Sequence, residues 1–261
     1  MAGGFLEGVI RLYTEKGWQF KHLIFFVFAV IAMLPDTLKT FITKDNVNLE
    51  LLGTIVILNL LVFVLGICFS LFILHFTHNS IKYFQKLMVA ENKQMLKKVP
   101  IVPRFDGSLF KHFGAFACFS IVWWLLLMVI SVVVVIFGMI PIIGVIPVLC
   151  FTVVVSFALP YINARFAENY QTRGNLNPAL LFSIFPEIWK PTLLLMLKCV
   201  GVFLCIALVL ILHYYIAVAM MSPSDVVWLK YAGGVFLTYI GYVITLVYSY
   251  SIAYIYCTND I

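Results

Sequence analysis

Apolar residues fall along this chain in long unbroken runs, and polar residues are confined to the short stretches between them. The clearest example is Gly114 to Ile162, which contains no Asp, Glu, Lys or Arg. It holds two runs, 115–139 and 142–162, separated by Ile140 and Pro141. About twenty consecutive apolar residues in a helix cross the hydrocarbon core of a bilayer, so this stretch predicts a transmembrane helical hairpin with a very tight turn. Pro141 suits the first turn of the second helix of that hairpin, and Pro147 is expected to bend it.

Four further runs extend the pattern. The first covers about 17–34 and is closed by Pro35-Asp36; the second covers 51–76. Pro191 opens a fifth span over 192–220, and a sixth runs over 227–256. The predicted fold is all-α: a polytopic membrane protein of six transmembrane helices in three hairpins, forming a single integral membrane domain over 1–261. The first run has the length of a signal-peptide core, but no small-x-small cleavage site follows it, so a retained signal anchor is expected.

Amphipathic segments sit between the runs. Over 5–16, Phe5, Leu6, Val9, Ile10 and Tyr13 share one helical face and Glu7, Arg11 and Glu15 the other, the pattern of an interfacial helix. Over 77–98, Ile81, Phe84, Met88 and Met95 recur among Lys82, Lys86, Lys93, Lys97 and Lys98, with no proline from Leu51 to Val99. That predicts a basic continuation of the second helix, projecting from the bilayer or bent onto its surface. Over 178–185 a short apolar helix is expected, started by Asn177 as a capping residue with Pro178 behind it and stopped at Pro186.

Composition excludes a soluble reading. Hydrophobic residues make up 64% of the 261 residues and charged residues 11%, with a mean hydropathy of +1.08. A soluble domain carries roughly a quarter charged residues to meet water. The net charge of +6 takes its meaning from where the charges lie. With the N-terminus in the cytoplasm and six spans threaded, fourteen of the 17 Lys and Arg residues face inward, leaving Lys39, Lys44 and Lys230 outside. This is the positive-inside distribution of an inner-membrane protein with both termini cytoplasmic. No nucleic-acid-binding module is recognisable, so nucleic acid is not expected as a partner. Five of the six cysteines lie within apolar runs and the sixth, Cys257, at the end of one; none is in a CxxC pair, and they read as small buried hydrophobes.

Candidate chemistry is sparse. His75 and His78 lie three apart, and His112 stands before the third span; together they are candidate metal ligands, although HxxH at a helix end also suits plain interfacial histidines, which the spacing favours. Lys198 and His213 within the fifth span, with Tyr239 and Tyr242 in the sixth, are candidates to line a transport path. A proton or ion relay would need an acid at mid-membrane, and none occurs there. Tyrosine hydroxyls at depth need partners, and the neighbouring glycines also suit close helix packing. Lys82, Lys86, Lys93, Lys97, Lys98, Arg165, Arg173 and Lys190 are candidate contacts for anionic lipid or a cytosolic partner. Intramolecular pairing with Glu168 and Glu187 is the alternative for the return segment. No phosphate loop, HExxH, GxSxG or paired carboxylates is present, so neither a catalytic residue nor a cofactor is expected.

Asn177-Pro-Ala-Leu-Leu-Phe-Ser-Ile-Phe-Pro, read with Arg165-Phe-Ala-Glu-Asn-Tyr and the Ile140-Pro-Ile-Ile-Gly turn, resembles a loose group of prokaryotic six-span membrane proteins, the domain-of-unknown-function family 4013. It is similar also to the membrane domain fused to some glycerophosphodiester phosphodiesterases. The likeness covers roughly 104–256 and implies a bacterial inner-membrane protein; it transfers no functional residues, and the phosphodiesterase itself is absent. Without a catalytic set, and with interfacial helices and a basic extension fit for docking, the chain is expected to be a non-enzymatic scaffold or accessory subunit. Its expected partners are membrane lipids and other membrane proteins or further copies of itself. Transport of a small molecule or lipid through the region of the fifth and sixth spans is the alternative.

Overall fold

The computed structural model describes residues 2–40, 49–89, 100–138, 145–172, 174–218 and 223–259. The described residues form seven α-helices: α1 (Ala2–Thr14), α2 (Trp18–Lys39), α3 (Leu49–Val89), α4 (Phe113–Gly138), α5 (Val145–Asn169), α6 (Ala179–Val218) and α7 (Pro223–Thr258). A single 3₁₀ turn, Gly107–Phe110, precedes α4. All but α1 are long and apolar enough to cross a membrane, as the runs of apolar residues predict. The tight turn expected at Ile140-Pro141 lies outside the described residues.

Helix ends depart from the sequence reading in a consistent direction: the helices run further than the apolar stretches. Pro35 does not close α2, which continues to Lys39 with Pro35 buried inside it. α5 passes Ile162 and ends at Asn169; Pro147 sits in its first turn, and the interior proline is Pro160. The short helix expected over 178–185 does not stop at Pro186. It is the beginning of α6, 40 residues long, which passes both Pro186 and Pro191. Each proline removes one backbone donor, and the loss is tolerated where tertiary packing and the rest of the helix hold. The start of α6 follows expectation, with the Ala179 N–H donating to Asn177 Oδ1 at 3.0 Å.

The chain divides into two compact units. One comprises Met1–Gly8, Leu71–Met196 and Tyr248–Ile261, the other Val9–Ser70 and Leu197–Val247, so α1, α3, α6 and α7 each contribute to both.

In the first unit, the extension of α3 beyond Ser70 is not a free basic helix. Leu71, Phe72, Thr77, Ser80, Ile81, Tyr83 and Phe84 are buried, and Lys82, Gln85 and Lys86 face outward. Phe84 meets the rings of Tyr250 and Tyr254 on α7 at 5.0 and 5.3 Å. Phe119 of α4 stacks on Phe166 of α5 at 4.1 Å. Tyr161, fully buried on α5, donates to Thr192 Oγ1 at 2.8 Å, and that hydroxyl in turn donates to the Ile188 carbonyl. Trp123 Nε1 donates to the Asn175 carbonyl at 3.0 Å, fixing the turn between α5 and α6.

In the second unit, α2 packs on α7. The Tyr231 hydroxyl donates to the Val30 carbonyl at 3.0 Å, and the Met33 side chain lies directly on Gly234, where a β-carbon would displace it. Phe25 meets Phe69 of α3 edge-on, and Phe69 meets Tyr242. α1 carries the most informative reversal. Its charged face turns inward: Arg11 is buried beside Glu15, at 3.9 Å, while Leu6 and Ile10 are 61% and 51% exposed. A helix that hides arginine and presents leucine is suited to an apolar exterior, the reverse of a soluble surface. The cysteines, too, part from expectation. All six are free, and Cys118, Cys150 and Cys205 lie on outward faces, where a small apolar side chain suits lipid as well as a core.

The turn between α1 and α2 depends on Gly17, whose φ of 79° is left-handed. Gly17→Ala meets no atom but places a β-carbon in that conformation, at a cost of about 1–2 kcal/mol. A lower unfolding midpoint in detergent is expected; an unchanged midpoint means that the turn does not hold this backbone.

Candidate functional site

Three histidines separated by up to 37 positions in sequence meet around one tyrosine in the first unit. His75 and His78 lie one turn apart on α3, because the helix continues without a break; His112 ends the lead-in to α4; Tyr170 is the first residue after α5. Tyr170 has φ 55°. A bulky residue in the left-handed region is uncommon and costs about 1–2 kcal/mol, normally avoided by glycine at a helix end. What holds it is the ring. Tyr170 stacks on His112 at 3.8 Å and 6°, meets His78 at 4.8 Å and His75 at 5.7 Å, and stands edge-on to Phe166.

Hydrogen bonds fix the tautomers. A carbonyl only accepts, so His75 Nε2 carries the proton it donates to the Leu109 carbonyl at 3.1 Å. Nδ1 then accepts from the Tyr170 hydroxyl at 3.2 Å. His78 Nδ1 donates to the Ala167 carbonyl at 2.5 Å. Outside the spans, burial pushes the Tyr170 phenol up from its usual range. Partial burial, with Lys111 beside it, holds His112 below the usual histidine value. Partial burial thus favours the neutral imidazole at His112. As candidate metal ligands His75, His78 and His112 are brought together, but three of their ring nitrogens are committed to protein partners. Among the described residues no group of three or more His, Cys, Asp or Glu side chains is placed to hold a metal ion.

The segment before α4 is strapped onto α3 by the same cluster. Phe105 stacks on Phe72 at 4.6 Å and 11°, and Asn79 Nδ2 donates to the Ile101 carbonyl at 3.0 Å. Ile101, Val102 and Leu109 are buried. Asp106 caps the 3₁₀ turn, accepting from the Ser108 N–H at 2.9 Å and from its hydroxyl; these two bonds hold its carboxyl below the usual carboxylate range.

Near the same end of α3, Glu168 acts as a clasp. Its Oε1 accepts from Gln85 Nε2 at 2.6 Å and its Oε2 from the Tyr256 hydroxyl at 2.8 Å, joining α3, α5 and α7. Of the candidate lipid or partner contacts, Lys82, Lys86 and Lys190 are exposed, Lys190 lying 5.4 Å from the Trp189 ring centroid, and Arg165 is half-buried. Lys93, Lys97, Lys98 and Arg173 lie outside the described residues.

The second unit repeats the carbonyl–histidine–tyrosine chain. His22 Nε2 donates to the Leu12 carbonyl at 3.2 Å, and Nδ1 accepts from Tyr239 at 2.8 Å. Tyr13 stacks on the imidazole at 4.4 Å and 13°. Tyr239, a candidate for a transport path, is thus tied to α2. Tyr242 borders an open groove of about 450 Å³ with Phe69, Phe203, Leu237, Thr238, Gly241 and Thr245. Lys198 and His213 are not among its walls: both are exposed on α6, and His213 Nδ1 bonds to its own helix at Val209. Sequence reading passed over His22 and Tyr170. The only local signals were an imidazole four residues after Trp18 and an aromatic ring directly after a helix end.

Comparison of the chain with protein-family models, characterised proteins and solved structures gives no match.

Glu168→Ala leaves Gln85 and the Tyr256 hydroxyl without their acceptor. Bonds to a charged group contribute about 1.5–3 kcal/mol, so a clear drop in the detergent unfolding midpoint is expected, larger than for Glu187→Ala on the exposed face of α6. Equal effects for the two variants would remove the clasp role.

Proposed function

We propose that the protein is a non-enzymatic scaffold or accessory subunit of a larger membrane complex, set in a bacterial inner membrane with both termini cytoplasmic. One observation carries this reading. Burial is very uneven among the apolar helices: the most apolar stretches of α4 and α6 have 11% of their residues buried, against 44% for α7. α7 is a core helix, whereas α4 and α6 give most of their circumference to whatever surrounds the protein. On α4 that face includes Trp124, Met128, Val132 and Ile136. Transmembrane helices associate through such close-packing surfaces without any hydrophobic drive, so α4 and α6 are suited to receive the spans of a partner. Exposed Lys82, Lys86 and Lys190 add charge for anionic head groups or an acidic partner.

The alternative, transport of a small molecule or lipid, draws on the groove beside Tyr242. Its supports are fewer, since Lys198 and His213 lie outside the lining and Tyr239 is held by His22.

Photocrosslinking in native membranes separates the two. A crosslinker at Trp124 on α4 or Leu208 on α6 is expected to give an adduct of discrete protein mass, and gentle purification should recover the same partner. Lipid adducts alone, with the chain recovered by itself, would overturn the scaffold reading. Orientation is tested by thiol labelling of single cysteines at Lys86 and Lys190. Both should react only from the cytoplasmic face, and reaction of the two from opposite faces would overturn the threading.

A further inference from the structure

We propose that the groove beside Tyr242 in the second unit is a binding site for a neutral, lipid-soluble molecule with a carbonyl-bearing ring, the chemistry of a quinone head.

The walls come from three helices of that unit: Phe69 of α3, Phe203 of α6, and Leu237, Thr238, Gly241 and Tyr242 of α7. The volume of about 450 Å³ falls within the range of small-molecule sites, roughly 300–1,000 Å³. Two hydroxyls in the wall stand apart from the others on the apolar helices. Thr54, Thr77, Thr152 and Thr245 each donate to the carbonyl four residues back. Neither Thr238 nor the Tyr242 hydroxyl makes a hydrogen bond with any described residue. They lie one turn apart on the same face of α7, near the middle of the 227–256 apolar run, where hydrocarbon offers no acceptor. An occupant that brings acceptors satisfies both.

Gly241 stands between them in the same wall. A glycine within a helix is destabilising, and where it serves helix packing a neighbour takes the space, as Met33 does at Gly234. A β-carbon at Gly241 would meet nothing within 4 Å. The missing side chain leaves room in the groove instead.

The lining narrows the occupant. Among the described residues it carries no charged side chain, so a phosphate or carboxylate head would be buried without a counter-charge. Phospholipid ester carbonyls stay at the interface, roughly 15 Å from the middle of the hydrocarbon core, and do not reach Thr238 and Tyr242. What fits is a molecule whose acceptors travel within the hydrocarbon. Phe69 and Tyr242, with ring centroids 4.4 Å apart, and Phe203 offer aromatic surface to a planar ring. A quinone supplies that plane, two ketone oxygens for the two donors, and an apolar tail for the open side of the groove. Binding here requires no passage across the membrane, and it is independent of whether α4 and α6 meet a partner.

Photolabelling of the full chain in phospholipid nanodiscs with an azidoquinone tests the site. Saturable adducts on 237–245 and Phe203 are expected, displaced by decylubiquinone but not by decylbenzene, which has a ring and the same tail without the oxygens. Thr238→Val with Tyr242→Phe removes both donors, and the loss of two neutral hydrogen bonds corresponds to about tenfold weaker binding. Because neither hydroxyl bonds the protein, the unfolding midpoint of this double variant should hold; a fall would mean that the hydroxyls serve the fold, and would overturn their assignment to a ligand. Gly241→Leu fills the groove and should abolish saturable labelling. If that variant does not fold, the double variant decides. Absent or unsaturable labelling, equal displacement by decylbenzene, or unchanged affinity in the double variant overturns the proposal.

Discussion

A polar side chain placed among apolar helices must find its partner inside the protein, because lipid offers none. That constraint orders most of this structure. The simplest solution is local: Thr54, Asn59, Ser70, Thr77, Ser80, Thr152 and Thr245 each bond the carbonyl four residues back in their own helix. Except for exposed His213, which bonds its own helix at Val209, the histidine, tyrosine and tryptophan bonds described above reach across to other segments. The specific contacts of both units are therefore made by Tyr161 with Thr192, Trp123 with Asn175, His22 with Tyr239 and His75 with Tyr170.

The helix lengths make room for this polar packing. At about 1.5 Å per residue, α3, with 41 residues, is roughly 60 Å long, about twice the thickness of a hydrocarbon core. Part of it must leave the core even when tilted. From Leu71 onward α3 packs Phe76 and Phe84 on Tyr250 and Phe72 on Phe105, and there the segment before α4, the histidines and the Glu168 clasp are assembled. The part of the chain with the most organised polar contacts is thus built on the last two turns of that apolar run and the helix just beyond it.

The apolar exterior serves the proposed role in a different way. α4 is apolar all round and buries little of its surface, so in the proposed role its specificity, unlike that of the polar clusters, would rest on shape. Small and β-branched residues along Val129 to Val135 permit close approach of another helix. The inverted α1, with Arg11 inside and Leu6 and Ile10 outside, belongs to the same design: its exterior is apolar and its charge is kept for contacts within the protein.

Hydropathy determined the helical class and the number of apolar spans, and the Asn177-Pro178 pair marked a helix start that α6 takes up at Ala179, since each depends on residues within a turn or two of one another. The helices run past Pro35 and Pro186 for a physical reason. A proline costs one hydrogen bond locally, and packing along the rest of a long helix outweighs it. The site was legible only in pieces. His75, His78 and His112 stand out as residues, but the ring that gathers them, Tyr170, lies 95 positions from His75 and carries no local mark. Which face of α1 turns inward, and which histidine meets which tyrosine, were decided by tertiary structure. Those choices depend on groups remote in the chain competing for the few acceptors that an apolar interior provides.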